Sequence, residues 1–200
     1  MATKQLIELR KNLIQERIGI AQAHALQTQF EQQILRFLED LELKKPQFIH
    51  TIALYWPIQG EPDVRAALLK WLKQHPSRKL ALPITQKEQA LQFAQWDDQT
   101  KTQAGLFGIE VPVAQSLIDP DLIIAPCLGW QELHQKIWRI GYGGGYYDRT
   151  MAKLAQSNPA TLLIGIGLDN HCVSHHLWTP QSHDVPLNAL ITQSRIISHI

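Results

Sequence analysis

The sequence lacks a charge excess, a cysteine framework and long apolar runs. It has 19 Lys and Arg against 18 Asp and Glu, for a formal net charge of +1. Sequence-independent binding to nucleic acid needs a sustained basic excess, so we expect no nucleic-acid partner. The two cysteines, Cys127 and Cys172, lie far apart in the sequence. Their number and spacing exclude a disulfide scaffold and a CxxC motif.

Membrane and secretory signals are also missing from the pattern. Apolar runs such as LIIAP at 122–126 fall well short of the ~20 residues that a membrane helix needs. The first residues, MATKQLIELRKNL, are charged and amphipathic, without the apolar core of a signal peptide. Free cysteines are typical of a reducing compartment. We therefore expect a cytoplasmic protein with no membrane partner.

What the chain does have is the composition of a globular domain. Its 200 residues are 44% apolar and 18% charged, which is enough to bury a real core. Apolar periodicity over 4–43 predicts two helices that break near Gly19, with Pro46 ending the second. Further along, helices are predicted at 61–74, with Pro62 in the first turn, and at 146–156. Strands are predicted at 48–58, 79–84, 90–96, 121–130, 160–169 and 189–197.

The order of these elements predicts an α/β fold. Strands alternate with helices, and several strands are continuous apolar runs, which is typical of a sheet covered on both faces. We expect one domain over 1–200, with a three-layer, open, mostly parallel or mixed, Rossmann-like sheet. The helices of 4–43 precede this sheet and pack on it. Residues 101–120 are predicted to be loop, and a polar linker follows the strand at 121–130.

A glycine-rich stretch, IGYGGGYYDR at 140–149, carries the chemistry. Its glycines allow positive φ and a close approach of the backbone to a ligand. Because a helix is predicted to follow, free N–H groups and the positive helix end favour an anion such as phosphate. Asp148, in the first helical turn, is of a type that holds Mg²⁺ beside phosphate. The stretch matches neither GxGxxG nor the P-loop, so the residues alone leave a plain turn open.

The string RIGYGGGYYDR resembles the signature of the 5-formyltetrahydrofolate cyclo-ligase family, whose members are also called 5,10-methenyltetrahydrofolate synthetases. Further segments resemble the family in the same order, namely LRKNLIQER, YWPIQGEPDV, KLALPI, LQFAQW, GLFGIEVP, DLIIAP and SHDVPLNALIT. The resemblance covers nearly the whole chain. It implies conversion of ATP and 5-formyltetrahydrofolate to 5,10-methenyltetrahydrofolate, ADP and phosphate, with Mg²⁺.

The resemblance also implies roles for particular residues. Tyr146 and Asp148 would be catalytic, and Asp148 and Asp184 would hold Mg²⁺. The implied nucleotide site consists of Arg10, Arg139, Ile140, Gly141, Tyr142, Gly143, Gly144, Gly145, Tyr146 and Tyr147. The implied folate site consists of Trp56, Glu61, Tyr142, Gly143, Gly144, Gly145 and Tyr146, and Glu61 would hold the donor edge of the pterin.

Each of these roles has a structural alternative. Arg10 and Arg17 are seven residues apart, hence on one helix face, and such a face is often merely solvated. Tyr55 and Trp56 end a predicted strand and suit the core as well as a folate wall. Trp96 is expected in the core. Arg149 suits a surface ion pair as well as a phosphate site.

The chain departs from the family pattern in several places. Leu6 stands where the family usually has Lys, and Lys4 lies on roughly the opposite side of a helix at ~100° per residue. Gln131 stands where the family has Asp, and the link before Arg139 is longer. Residues 165–184 also lack a Gln that is usual there. These departures bear on ATP binding and loop fit, yet we expect an active enzyme.

Two other functions remain open at this stage. His171, Cys172, His175 and His176 include an H-x3-H spacing that can bind Zn²⁺, which predicts a zinc-binding protein or hydrolase. Alternatively, the departure at Leu6 leaves a folate- or nucleotide-binding protein whose activity has lapsed. The sequence leaves the oligomeric state open, with a monomer as the expectation.

Overall fold

The computed structural model describes residues 2–20, 24–45, 48–114 and 116–200. The helices and strands in chain order are α1 (Ala2–Ile20), α2 (His24–Lys44), β1 (Thr51–Ala53), α3 (Arg65–Lys73), β2 (Lys79–Ile84), β3 (Gln92–Trp96), β4 (Thr102–Ala104), β5 (Glu110–Pro112), β6 (Leu122–Pro126), β7 (Gly129–Leu133), β8 (Lys136–Ile140), α4 (Tyr146–Ser157), β9 (Leu162–Ile166), β10 (Ala189–Ile191) and β11 (Ile196–Ser198).

The N-terminal region forms the two predicted helices. The helix α1 ends at Ile20, one residue beyond the expected break at Gly19. The helix α2 ends at Lys44, and Pro46, the expected stop, falls outside the described residues. Within the described residues, no helix is long and apolar enough to cross a membrane.

Seven strands form the main sheet, in the order β11-β10-β9-β6-β1-β2-β3. The five strands from β10 to β2 are parallel, and the two edge strands run antiparallel to their neighbours. This is the mixed, mostly parallel sheet that the sequence predicts. The apolar runs of its central strands suit burial on both faces.

Successive side chains of the strands enter opposite layers, as the period of two requires. Ile52 packs with α2 and α3 on one face, and Ala53 packs on the other face. The second face is covered by Leu154 of α4 and by Trp130 and Ile137 of the β7–β8 hairpin. The expected three layers, with helices on both faces, are confirmed.

The first strand and the following helix are shorter than predicted. The strand expected over 48–58 is limited to β1, because the chain leaves the sheet after Ala53. The helix expected from residue 61 begins at Arg65, so Pro62 precedes the first turn. Asp63 explains the later start, since its Oδ1 accepts the N–H of Arg65 at 3.0 Å and forms a turn before the helix.

Two segments contain more strand than predicted, and a third is divided. Part of the loop expected over 101–120 pairs as β4 and β5, and a short 3₁₀ turn, Leu106–Gly108, lies between them. The expected polar linker is the β7–β8 hairpin, whose turn residues His134 and Gln135 have φ of 53° and 59°. Two successive positive φ values are typical of a type I′ turn. The last predicted strand is divided into β10 and β11.

The fold brings the glycine-rich stretch to the edge of the sheet where parallel strands end. The carboxyl ends of β1, β2 and β6 lie at one edge of the sheet. Residues at or just beyond these ends line a common cavity, namely Tyr55, Pro83 and Pro126. Ligands of open α/β sheets bind outside the carboxyl ends of the strands. The architecture therefore places the candidate site at this edge.

Candidate functional site

Two cavities lie on either side of the glycine-rich loop, which we define as residues 140–145. One has a volume of about 290 Å³ and is called the polar cavity. The other has a volume of about 430 Å³ and is called the aromatic cavity. Both are lined by Pro126, Tyr142, Gly144, Tyr146 and Tyr147. The loop is thus a shared wall, which allows two ligands to meet.

The backbone of the loop requires glycine at two positions. Gly143 has φ of 94° and Gly145 has φ of 64°, and Gly145 caps the start of α4. A Cβ on Gly143 would lie 2.9 Å from Nη1 of Arg10, which is too close for a real side chain. The positive φ values of Gly143 and Gly145, together with this contact at Gly143, explain why both positions are glycine. The first turn of α4 points its free N–H groups to this edge, which favours an anion.

Two arginines of the expected nucleotide site border the polar cavity. Arg10 Nε donates a hydrogen bond to the carbonyl of Gly141 at 2.9 Å. Burial lowers the pKa of Arg10, and nearby Asp184 opposes that shift. Arg139 is buried, and its Nη2 lies 3.2 Å from Oδ2 of Asp148. Ile140 and the loop line the same cavity, so the expected nucleotide residues are brought together.

The two expected metal ligands also border the polar cavity. Asp148 Oδ1 accepts the N–H of Val185 at 3.2 Å, and Asp184 Oδ2 accepts the N–H of Gln181 at 2.6 Å. These bonds fix both carboxylates and leave further lone pairs unused. Mg²⁺ prefers one or two carboxylates, with phosphate oxygens and water as its remaining ligands. The donor set fits Mg²⁺ bound together with a phosphate group.

Glu61 is the buried carboxylate of the aromatic cavity, with 8% of its surface exposed. Its Oε2 accepts the N–H of Ile58 at 2.9 Å, and its Oε1 accepts the hydroxyl of Tyr142 at 2.7 Å. Burial raises the pKa of Glu61, and these two hydrogen bonds partly oppose the shift. A carboxylate in a cavity of this kind suits a pair of adjacent N–H donors.

Aromatic rings form much of the surrounding wall. Tyr55 and Trp56 line the aromatic cavity, and the ring of Trp56 meets that of Trp96 edge to face at 6.4 Å. Trp96 is buried in the core, as expected. The guanidinium of Arg65 lies 4.2 Å from the ring centroid of Trp56. Trp56 therefore combines a cavity position with a fixed orientation.

Phe107 is a cavity residue that the sequence reasoning missed. It lies at the tip of the β4–β5 hairpin with φ of 62°, and 70% of its surface is exposed. Its ring contacts Tyr146 edge to face at 6.3 Å and lines the aromatic cavity. No periodicity marks this residue. Only an exposed aromatic between two glycines, in GLFG, was a usable signal.

A solvated helix face was the structural alternative for Arg10 and Arg17, and for Arg17 the structure contradicts it. Only 1% of its surface is exposed. Its Nε donates to the carbonyl of Gln59 at 3.1 Å, and its Nη2 donates to the hydroxyl of Tyr142. Arg17 thus lies next to Glu61 and is shielded from water.

Arg149 is partly buried and donates to the carbonyl of Gly144 at 2.7 Å, so it stabilises the loop.

The zinc alternative finds no support in the structure. The described part of the chain contains no group of three or more His, Cys, Asp or Glu that could hold a metal ion. His171 is buried, and its Nδ1 lies 2.8 Å from the carbonyl of Leu128. Cys172 is exposed, and the ring centroids of His175 and His176 lie 3.8 Å apart with the ring planes tilted by 44°. The four residues do not converge because they follow an irregular path and not one helix.

The family departures have identifiable places. Leu6 lines the polar cavity, and Lys4 is exposed. Gln131 is buried in β7 and donates to the carbonyl of Trp178 at 2.7 Å. This hydrogen bond joins the longer link to the 178–184 segment, whose Trp178 lines the polar cavity. At Leu6, the wall of the polar cavity has an apolar side chain where the family usually has the cation of Lys.

Fold and site together define an α/β enzyme whose two small-molecule cavities share one glycine-rich wall. The chain belongs to the 5-formyltetrahydrofolate cyclo-ligase family, whose model matches residues 2–193.

Individual relatives agree with this membership. The chain is 26% identical over 188 residues to a 5-formyltetrahydrofolate cyclo-ligase of Haemophilus influenzae, covering 90% of this chain and 91% of the relative. It is 27% identical over 206 residues to the protein of the same name from Mycolicibacterium smegmatis, covering 98% and 97%.

Solved structures show the same fold. The 5,10-methenyltetrahydrofolate synthetase of Aquifex aeolicus superimposes with a TM-score of 0.71 at 25% identity, covering 94% of this chain and 90% of that one. The synthetase of Mycoplasma pneumoniae gives a TM-score of 0.69 at 22% identity, covering 92% and 96%. At this identity the second comparison speaks for the fold alone.

Proposed function

We propose that the protein catalyses the ATP- and Mg²⁺-dependent cyclisation of 5-formyltetrahydrofolate to 5,10-methenyltetrahydrofolate, with release of ADP and phosphate. The observation that carries this proposal is the meeting of the polar cavity and the aromatic cavity at one glycine-rich loop. Such an arrangement suits transfer of a phosphoryl group from one ligand to another. Family membership supplies the two substrates.

The proposed chemistry has two steps. The formyl oxygen attacks the γ-phosphorus of ATP, the bond to the β-phosphate oxygen breaks, and ADP leaves. N10 of the folate then attacks the activated formyl carbon and loses its proton, and phosphate departs with the former formyl oxygen. Neither step needs a protein nucleophile. The work of the protein is to position the substrates and to neutralise phosphoryl charge.

Arg10, Arg139 and residues 143–145 line the polar cavity, where their side chains and backbone N–H groups would bind the phosphates of ATP. Asp148 and Asp184 would hold Mg²⁺ there, and the ion would supply further neutralisation of phosphate charge. Tyr146 borders both cavities, so we assign it to the junction where the formyl oxygen meets the γ-phosphate.

In the aromatic cavity, Glu61 would accept hydrogen bonds from the ring N–H and amino group of the pterin. Trp56, Phe107 and the loop would enclose the ring system from the sides. This division gives each cavity one substrate and leaves the loop between them.

We also propose a cytoplasmic location, because ATP is a cytoplasmic substrate and both cysteines are free. The expectation of a monomer remains a prediction, to be checked by light scattering.

The position of Leu6 favours one second candidate, a protein that binds folate and nucleotide without turnover. An apolar side chain in the wall of the polar cavity offers no charge to a phosphate. The two candidates differ in one measurable property, the formation of product.

The deciding experiment follows the near-UV absorbance of the conjugated methenyl product. Purified protein is mixed with Mg²⁺, ATP and 5-formyltetrahydrofolate, with omission of ATP as the control. ATP-dependent product formation supports the enzyme. Absence of product, with both ligands still bound in calorimetric titrations, would overturn the proposal in favour of the second candidate.

A further inference from the structure

Arg17 of α1 is a buried cation that contacts residues in the wall of the aromatic cavity. It is among the largest fully buried side chains, and 1% of its surface is exposed. It contacts three partners, the carbonyl of Gln59, the hydroxyl of Tyr142 and the carboxylate of Glu61. The distance from Nη2 to Oε1 of Glu61 is 3.9 Å. One arginine thus joins α1, the segment before α3 and the glycine-rich loop.

The segment that Arg17 holds is strained. Gln59 has φ of 47° and Gly60 has φ of 77°, and Glu61 follows directly. A residue other than glycine keeps a positive φ only where its surroundings enforce it. The hydrogen bond from Nε of Arg17 to the carbonyl of Gln59, at 3.1 Å, is such a constraint. The orientation of Glu61 therefore depends on Arg17 through the backbone as well as through charge.

Stability alone does not explain this arginine. Buried ion pairs are often no more stable than apolar side chains of similar volume. In addition, Nη1 of Arg17 is buried and has no hydrogen-bond partner in the parts of the chain that the structure describes. An unpaired buried N–H destabilises the folded state. A group that is retained despite this penalty is a candidate for function.

We propose that Arg17 is a positioning residue for the aromatic cavity, where it fixes the 59–61 turn and the hydroxyl of Tyr142 so that the Glu61 carboxylate faces two adjacent N–H donors of the folate ring. This inference rests on the proposed function for the identity of the ligand. Arg17 does not line either cavity surface, so its effect on the ligand is exerted through Glu61.

The charges around Glu61 make the role of Arg17 measurable. Within the described residues, burial raises the pKa of four other titratable groups that interact with Glu61, so they are neutral near neutral pH. These groups are Tyr55 beyond β1, Cys127 beyond β6, Tyr142 of the loop and Tyr147 of α4. In the same described part of the chain, Arg17 carries the positive charge that opposes the burial-induced rise in the pKa of Glu61.

The first test compares wild type with Arg17→Gln in the absence of ligand. The carboxyl carbon of Glu61 is titrated by NMR, with Glu61→Gln used to assign the signal. We expect a higher pKa for Glu61 in Arg17→Gln, because the charge that favours the ionised form is gone. An unchanged Glu61 titration would overturn the inference, whatever ligand the protein binds.

The second test measures affinity for each ligand by calorimetry at neutral pH. Arg17→Gln is expected to weaken binding of 5-formyltetrahydrofolate about tenfold, the scale of one disturbed hydrogen bond to a charged group. Binding of ATP should stay unchanged. Arg78→Gln is the matched control, because Arg78 forms an arginine–glutamate ion pair, at 2.6 Å to Glu42, whose carboxylate lines neither cavity. It should alter neither the titration nor either affinity.

Two further variants separate positioning from folding. Arg17→Lys keeps the charge but not the fork of donors, so the pKa of Glu61 should return towards its wild-type value while folate affinity stays low. Arg17→Lys also provides the folate-affinity test if Arg17→Gln does not fold. Tyr142→Phe removes the bridging hydroxyl and keeps the ring. Its effect on folate affinity and that of Arg17→Gln should not be additive. Additive effects, or wild-type folate affinity in both variants, would contradict the inference.

Failure of this inference is distinct from failure of the proposed function. If the wild-type protein does not bind 5-formyltetrahydrofolate, the proposed function fails. The ligand-free titration of Glu61 still decides whether Arg17 controls that carboxylate.

Discussion

The two cavities share the glycine-rich loop as a wall and differ in the side chains that form their other walls. The polar cavity is bordered by Arg10, Arg139, Asp148 and Asp184, which come from α1, β8, α4 and the segment before β10. The aromatic cavity has rings on its sides and Glu61 as its carboxylate. Under the proposed function, the glycine-rich loop would supply proximity, whereas selectivity for each ligand would come from distant segments. Variants that disturb one cavity should leave binding in the other intact.

Asp148→Ala should have the largest effect, and it should be confined to the polar cavity. The change removes a proposed Mg²⁺ ligand and the partner of Arg139 at 3.2 Å. We expect kcat to fall by about a hundredfold or more, as for loss of a group that stabilises transition-state charge. Steady-state kinetics and folate titrations check this, with exposed Asp98→Ala as control. A folate affinity that fell with kcat would break the division into two cavities.

Glu61→Gln should have the converse effect to Asp148→Ala, because it should weaken folate binding and leave ATP binding intact. An amide offers fewer acceptor lone pairs than a carboxylate. We expect KM for 5-formyltetrahydrofolate to rise about tenfold to hundredfold, the range for hydrogen bonds to a charged group, with KM for ATP unchanged. Initial rates over both substrate concentrations measure the two constants. A wild-type KM for folate would remove Glu61 from the substrate site.

Gly144→Ala tests the shared wall. A Cβ at this position would lie 2.7 Å from the ring of Tyr146, so the ring must move. Because Tyr146 borders both cavities, both KM values should rise, each by about tenfold, as expected for a small misplacement at the reacting centre. Gly19→Ala is the control, since its Cβ would meet nothing within 4 Å. A change in one KM alone would show that the wall is not shared in function.

Leu6→Lys should have the smallest effect and the opposite sign. It adds a cation to the wall of the polar cavity, where Leu6 lies. We expect the Kd for ATP to fall about threefold to fivefold, the scale of a solvent-screened ion pair. Titration calorimetry at two salt concentrations checks the sign, and Lys4→Gln should change nothing. An unchanged Kd in Leu6→Lys would mean that another group already neutralises the phosphate at this point.

Local sequence patterns predicted the elements whose buried residues are consecutive in a strand or recur at helical spacing. The central strands β2, β6 and β9 appear as continuous apolar runs, and α4 follows the glycines directly. The β7–β8 hairpin was missed because its strands mix charged and aromatic residues and lie outside the main sheet. The strand expected over 48–58 was too long, because its apolar end lines a cavity instead of continuing the sheet.

For the site, the sequence identified the loop and its neighbours but not the residues that act through tertiary contacts. Arg17 follows the same helical face as Arg10, and no local signal distinguishes a buried arginine from a solvated one. Its burial depends on Gln59 and Tyr142, which lie 42 and 125 residues away. Phe107 depends likewise on a hairpin that only strand pairing reveals.

The attachment of α1 has a consequence for opening motions of the molecule. This helix lies outside the main sheet and packs through a small apolar cluster that includes Leu13, while Arg10 and Arg17 bind the loop and the 59–61 turn. Its detachment would remove Leu6 and Arg10 from the polar cavity and release Gln59, which lines the aromatic cavity, from Arg17. Bound ligands that restrain the loop should therefore slow amide hydrogen exchange along α1 more than along α2, whose Phe30 and Ile34 are fully buried in the core.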